Sequence, residues 1–177
     1  MTQILPKDEK ILRAIAKPVK VADIGTAKFN AILKDMKEAL NSQDDGVAIA
    51  APQIGVSLRI FIVSGKILDR TDTEESEKES KKEHPDLVFI NPKITKLSRK
   101  KNALEEGCLS VRYLYGKVSR SEKATVEALD EKGKKFIRGA SGLLAQIFQH
   151  ETDHLDGVLF TDKAKELREI LPKKSHE

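Results

Sequence analysis

The stretch QHETDHLDG, Gln149–Gly157, constrains this chain more than any other. His150 and His154 stand four residues apart, with Glu151 directly after the first. On a helix, positions i and i+4 stack on one face. The two imidazoles then project side by side and can hold one ion. Ile147 and Leu143 continue that stripe backwards, so the histidines point inward along a buried face. Glu151 falls on the neighbouring stripe with Leu144, Phe148 and Leu155. A carboxylate among apolar neighbours holds its proton more tightly, which suits a group that takes a proton and returns it. This is the H-E-x-x-H arrangement of two metal ligands and a general base. The competing reading is a surface helix with incidental histidines. Asp153 is either solvated or a partner that orients a ligand.

A third ligand decides the class of site. The H-E-x-x-H-x-x-G-x-x-H pattern is met at Gly157, but Phe160 stands at its last histidine position. Glu166 and Glu169 lie downstream, on a segment that reads as a short, basic, peripheral helix. Cys108, in LEEGCLSV, is the single cysteine of the chain. A lone cysteine is most often an ordinary buried apolar residue. A thiolate with two imidazoles would also leave a fourth metal position open for water.

The remaining segments outline the scaffold. Phe29, Ile32, Leu33, Met36 and Leu40 recur at helical spacing over 26–42. LRIFIVSG and LVFINPKITKL read as strands, with Pro92 at an edge or bend because proline cannot donate to a ladder. ATVEALDEKGKKFIRGA reads as a hairpin around Asp130–Gly133. Ser141 is placed to cap a helix running to about Leu155, with Gly157 ending it. A last helix is expected over about Lys163 to Leu171, stopping at Pro172. The expected fold is α+β, with largely antiparallel sheets packed around a central metal-binding H-E-x-x-H helix and further helices towards each end.

The chain has 177 residues, which suits a single domain over 1–177. Residues 70–86 are almost wholly charged or small polar and read as a solvated surface insertion. Charged residues make up 34% of the chain and the net charge is +4. That balance is too mild to make DNA an expected partner. With one cysteine an intrachain disulfide is impossible. No segment approaches the length of a membrane span, and the N-terminus shows no long apolar run. A cytoplasmic protein without a membrane partner is expected.

Three ordered motifs resemble peptide deformylase: GVAIAAPQ (Gly46–Gln53), EGCLS (Glu106–Ser110) and QHETDH (Gln149–His154). The resemblance implies a metal held by Cys108, His150 and His154. Fe(II) is the implied ion, and zinc, nickel or cobalt can substitute. It also implies removal of the formyl group from the N-terminal formyl-methionine of newly made polypeptides. In that scheme Glu151 carries the proton, and the Gln53 amide and Leu109 N–H stabilise the oxyanion. Val47, Leu143, Ile147 and the His150 ring line the methionine pocket, with Gln146 nearby. The Gly46–Ala51 segment runs beside the substrate backbone, and Gly46, Val47, Ala48 and Glu106 join the substrate-binding group. Lys163, Lys165, Arg168, Lys173 and Lys174 form a basic segment suited to docking on ribosomal RNA near the peptide exit.

Two departures stand out. Ala48 replaces the second glycine of the first motif, and Arg112-Tyr113 stands where Pro-Gly is common in the family. The rival readings are a zincin-like peptidase, which needs a ligand downstream of His154, and a formyl-peptide binder without turnover.

Overall fold

The computed structural model describes residues 2–70 and 84–171. Thr26 opens helix α1 (Ala27–Asn41), and its hydroxyl accepts the Phe29 N–H, as an N-cap should. Among the described residues eight strands follow: β1 (Ala48–Ala50), β2 (Ile60–Val63), β3 (Leu87–Leu97), β4 (Lys101–Cys108), β5 (Val111–Ser121), β6 (Lys123–Leu129), β7 (Lys135–Ser141) and β8 (Lys165–Glu169). Helix α2 (Gly142–Leu155) lies between β7 and β8. The strands form two antiparallel sheets, ordered β1-β2-β3-β6-β7 and β4-β5-β8. The α+β reading with antiparallel sheets is therefore observed.

The larger sheet is covered on both faces, and this explains why β2 reads as an unbroken apolar run. Successive strand residues face opposite sides. Ile60 and Ile62 pack with Phe29, Leu33, Met36 and Leu40 of α1, whereas Phe61 and Val63 pack with Ala145, Ile147, Phe148 and Leu155 of α2. Phe61 stacks on Phe89 at 4.5 Å, and Phe148 meets Phe89 edge-on at 5.1 Å. Truncating Phe148 to alanine should cost about 3–5 kcal/mol. Leu12, Val111, Val118, Leu159 and Phe160 form a separate cluster under the smaller sheet.

The hairpin forms where the sequence placed it. The Asp130 carboxylate accepts the Lys132 and Lys134 N–H groups, and Gly133 takes φ +75°. The bend at Pro92 is also real: β3 carries a bulge between Ile90 and Lys93, with Asn91 at φ +51°. Gly157 ends α2 at φ +74°, and a Cβ there would come within 2.6 Å of the Arg13 carbonyl oxygen. The Leu155 carbonyl beside it accepts the Ala16 N–H at 2.9 Å.

Two expectations are corrected. Ser141 occupies the N-cap position of α2, but its side chain makes no capping bond; it closes β7 opposite Lys123. The segment expected to be a C-terminal helix is strand β8, paired antiparallel with β5. Gly116 permits this, because a Cβ there would collide with Leu167, Ala164 and the Lys165 carbonyl. Backbone pairing along β5 overrides the moderate helix preference of KELRE. The insertion expected at 70–86 falls largely outside the described residues, as do Lys173 and Lys174. Among the described residues, no helix is long and apolar enough to cross a membrane.

Candidate functional site

A cleft of about 320 Å³ opens between β1, the β4–β5 turn and α2. β1 and β4 are edge strands of their respective sheets. Each brings one of the sequence motifs to the cleft, and α2 brings the third.

Cys108, the last residue of β4, stands opposite Val111 across a two-residue turn formed by Leu109 and Ser110. Its Sγ lies 3.2 Å from His154 Nε2. Ligand atoms of Cys108, His150 and His154 all lie within 4.8 Å of one another. Ligands at metal bond lengths of about 2.0–2.3 Å are spaced by roughly 3.3–3.8 Å, so small rotations would close the set on an ion. The electrostatics favour a cation. Burial raises the Cys108 thiol, but the His154 charge and hydrogen bonds to both imidazoles outweigh it and bring the thiol down to about 5. Burial lowers His150, yet its bonds to Cys108 and Glu106 and the Glu151 charge raise it well above its ordinary value. Interactions that hold protons here would hold a metal ion as well.

The outer contacts fix His150. Its Nδ1 lies 2.9 Å from Glu106 Oε2, which leaves Nε2 for the cluster. Glu106 is gripped by a fork from Arg120: Nε donates at 2.7 Å and a terminal nitrogen at 2.9 Å. The other Arg120 nitrogen donates to Asp153 at 2.7 Å, and Lys163 donates to both Asp153 oxygens. Asp153 therefore acts on the site through Arg120. Burial raises the Glu106 pKa, but the Arg120 and His150 hydrogen bonds and their charges bring it to about 2.

Glu151 is 4% exposed, and its Oε2 has no hydrogen-bond partner. Burial raises its pKa; the His150 and His154 charges oppose that without cancelling it. The expectation that Glu151 holds its proton tightly agrees with this environment. Gln53, 2% exposed, sits on a short 3-10 turn, Ala51–Ile54. Its Oε1 accepts the Ala50 N–H at 2.8 Å, which points the amide nitrogen at Ser110 Oγ and Cys108 Sγ.

Val47, Ala48, Gln53, Glu106, Cys108, Leu109, Leu143, Gln146, Ile147, His150 and Glu151 all line the cleft. Leu143, expected on a buried stripe, is 40% exposed and forms part of the wall. Gly46 stands behind it, where a Cβ would press on the Leu40 carbonyl at 2.8 Å. Glu106 reaches the cleft, but its oxygens are taken by Arg120, His150 and Gln146. Phe160, at the last position of the metzincin pattern, stacks at 6.2 Å on His150. Glu166 pairs with Lys117 at the surface, so it offers nothing to the cluster.

Sequence reasoning missed Arg120, Ser110, Gln149 and Tyr115. Gln149 holds α2 to the end of β5 by exchanging bonds with the Ser121 N–H and carbonyl. Arg120 left a signal: it follows Gly116 and Val118 on the inward face of β5, where a charge demands a partner.

A thiol of low pKa, two imidazoles and a buried carboxylate beneath an open cleft are the donor set of a metal-dependent hydrolase. Residues 1–169 match the family model described as Polypeptide deformylase. The chain is 39% identical to peptide deformylase 2 of Clostridium acetobutylicum, over 94% of this chain and 97% of that protein. It is 40% identical to the peptide deformylase of Rhizobium meliloti, over 93% and 84%. An actinonin-bound class I type b peptide deformylase from Acinetobacter baumannii superposes with a TM-score of 0.78 at 31% identity, covering 93% of this chain and 99% of that one. A peptide deformylase from Legionella pneumophila gives 0.76 at 38%, covering 94% and 87%. The chain belongs to the polypeptide deformylase family: it is an enzyme that removes the N-formyl group from newly made polypeptides.

Proposed function

We propose that deformylation takes place in this cleft, over a metal ion held by Cys108, His150 and His154, and that residues 1–177 form one catalytic domain. The observation that carries the reading is the convergence of these three ligand atoms beside a buried carboxylate oxygen without a partner. The residues fit such an ion, since the thiol pKa is low and Glu106 fixes the His150 tautomer. Fe(II) is the proposed ion, with zinc, nickel or cobalt as substitutes. When bound, the metal supplies Lewis acidity and lowers the pKa of a coordinated water.

The chain's own groups do the rest. Glu151 accepts a proton from the attacking water and delivers it to the departing amine. Its raised pKa suits it to both tasks. The Gln53 amide nitrogen and the Leu109 N–H donate to the oxyanion that develops from the formyl oxygen. The Ala50 N–H holds the Gln53 carbonyl away, so the amide nitrogen faces the reacting centre. Val47, Leu143, Gln146, Ile147 and the His150 ring receive the methionine side chain. β1 has one free edge, and the substrate backbone pairs there beside Gly46, Val47 and Ala48. A Met-Ala-Ser complex of the Acinetobacter baumannii enzyme, similar at a TM-score of 0.77, supports a peptide ligand.

Formate release from formyl-Met-Ala-Ser, with unformylated Met-Ala-Ser as control, tests the reading. Cleavage of the unformylated peptide bond would favour a peptidase, and tight binding without formate would favour a binder. The proposed setting is the cytoplasm, with the basic segment containing Lys163, Lys165 and Arg168 docking on ribosomal RNA. Co-sedimentation with ribosomes should then fall steeply with salt; salt-independent or absent co-sedimentation removes that partner.

A further inference from the structure

The segment before α1 carries none of the three motifs, yet it reaches each element that does. Leu5 donates its backbone N–H to the Gln53 carbonyl at 2.8 Å. Leu12 is fully buried in the cluster under the smaller sheet, and Cys108 packs against that cluster. Ala16 donates to the Leu155 carbonyl at 2.9 Å, one residue beyond His154. Residues 5–16 therefore run as a strap from the Ala51–Ile54 turn, past the smaller sheet, to the end of α2.

The contact with Gln53 bears directly on the chemistry. The Gly55 N–H closes the turn on the Ala51 and Pro52 carbonyls, and the Val56 N–H also bonds to Ala51. The Gln53 carbonyl is left to project from the turn, where Leu5 meets it. The Leu5 side chain lies against the same turn, since a Cβ on Gly55, which holds φ +84°, would stand 3.7 Å from it. Ile4 and Ile54 pack against one cluster on the α1 side of the larger sheet. Gln53 is thus held twice: its carbonyl by Leu5 and its Oε1 by the Ala50 N–H. The first bond sets where its backbone stands, and the second sets which way its amide faces. The Leu109 turn is not held by the strap in this way, because an open hollow of about 740 Å³ lies between residues 2–8 and Leu109–Arg112.

We infer that Leu5 is a positioning residue for the reaction: its N–H fixes the Gln53 backbone, and through it the place of the Gln53 amide nitrogen over the reacting centre. The inference rests on the deformylation reading above, which makes Gln53 an oxyanion donor. A preset donor stabilises the developing charge without moving at the moment of reaction. A misplacement of about 1 Å costs up to about 10²-fold in rate. The charge exists only in the transition state, so the strap acts on kcat and not on KM.

The test compares Leu5→Pro, which removes the N–H, with Leu5→Ala, which keeps it and removes the side chain. Both are loaded with nickel and read by formate release from formyl-Met-Ala-Ser. Leu5→Pro should lower kcat about tenfold, with KM and bound metal unchanged, and Leu5→Ala should stay within about threefold of the parent. In a Gln53→Ala background the donor is gone, so adding Leu5→Pro should change kcat by less than about twofold. A strap that served only the fold would lower kcat by the same factor in both backgrounds. A chain lacking residues 2–6 keeps Leu12 and Ala16 and should repeat the Leu5→Pro pattern, which covers a Leu5→Pro that does not fold. Apart from activity, the Leu5 amide hydrogen of the parent should exchange at least about 10²-fold more slowly than in an unfolded peptide. An unprotected Leu5 amide, an unchanged kcat, an equal loss on Gln53→Ala, a loss of metal alongside kcat, or failure of both altered chains to fold would each overturn the inference. Formate from the parent with unchanged kcat in the variants overturns the strap alone, whereas no formate from the parent overturns the deformylation reading with it.

Discussion

Replacing Arg120 with methionine would expose how much of the site depends on one buried cation. Arg120 is 3% exposed and Glu106 is 5% exposed. The substitution leaves Glu106, still 5% exposed at the cleft wall, with His150 and Gln146 as its side-chain partners. Asp153 keeps Lys163, so most of the penalty falls on Glu106. Breaking one side of a buried pair costs about 3–5 kcal/mol. The Glu106 pKa, held at about 2 by the hydrogen bonds and charges of Arg120 and His150 together against its burial, places Arg120 among the main groups that keep this carboxylate ionised. A loss of about 3 kcal/mol, the lower end of that cost, lowers Tm by about 6–12 °C in a chain of this length. A folded pKa below the unfolded one gives stability that is complete above pH 4.5 and is lost as pH falls towards 2. In Arg120→Met the Glu106 pKa moves up, so the gap between parent and variant should be widest above about pH 5 and close towards about pH 2. His150 also loses a well-ionised acceptor, and affinity for an added divalent metal should fall about 10–100-fold. Thermal unfolding across pH and titration with nickel read both effects. Adding Glu106→Gln to Arg120→Met removes the stranded charge and should recover part of the Tm. A loss below about 1 kcal/mol, or a double variant as unstable as the two single losses added, would refute the reasoning.

Three further outcomes are expected. Glu151→Gln should keep its metal and lose about 10²–10⁴-fold in kcat, whereas Cys108→Ala and His154→Ala should lose the metal itself; full metal content in both ligand variants would displace the proposed site. Activity of an iron-loaded preparation should decay in air and survive nickel exchange, and equal air-stable activity of iron and zinc forms would count against Fe(II). Ala48→Gly should change kcat/KM for a formyl-methionyl peptide by less than about tenfold, or 1.4 kcal/mol, because Ala48 has ordinary strand backbone paired with Val63 and belongs to the core cluster beside α2. The same change should cost about 1 kcal/mol of stability, and a hundredfold gain in kcat/KM would show that the methyl restricts the substrate.

The parts of the site that the sequence exposes are those made by local geometry. Spacing alone put His150 and His154 on one helical face, and apolar neighbours around Glu151 announced its raised pKa. Likewise α1, β2 and the Asp130–Gly133 hairpin follow from period and turn chemistry that a short window contains. What stayed hidden depends on distant pairing. Bottom-up reading left Cys108 open as a third ligand, because only the β4–β5 turn brings it 3.2 Å from His154. The Asp153–Arg120–Glu106–His150 chain joins residues 14–44 positions apart, so no window holds it. The misread C-terminal segment fails for the same reason. KELRE by itself favours helix, and the glycine that lets it lie against β5 as a strand is Gly116, far upstream. Arg120 shows how that gap could be narrowed. A charge on the inward face of a strand otherwise lined by Gly116 and Val118 is untenable without a buried acid, and Glu106 directly faces Gly116 across the β4–β5 ladder. Reading a strand for the partner that its inward charge requires, beyond its apolar alternation, would have linked Arg120 to Glu106 and carried the search from there to His150.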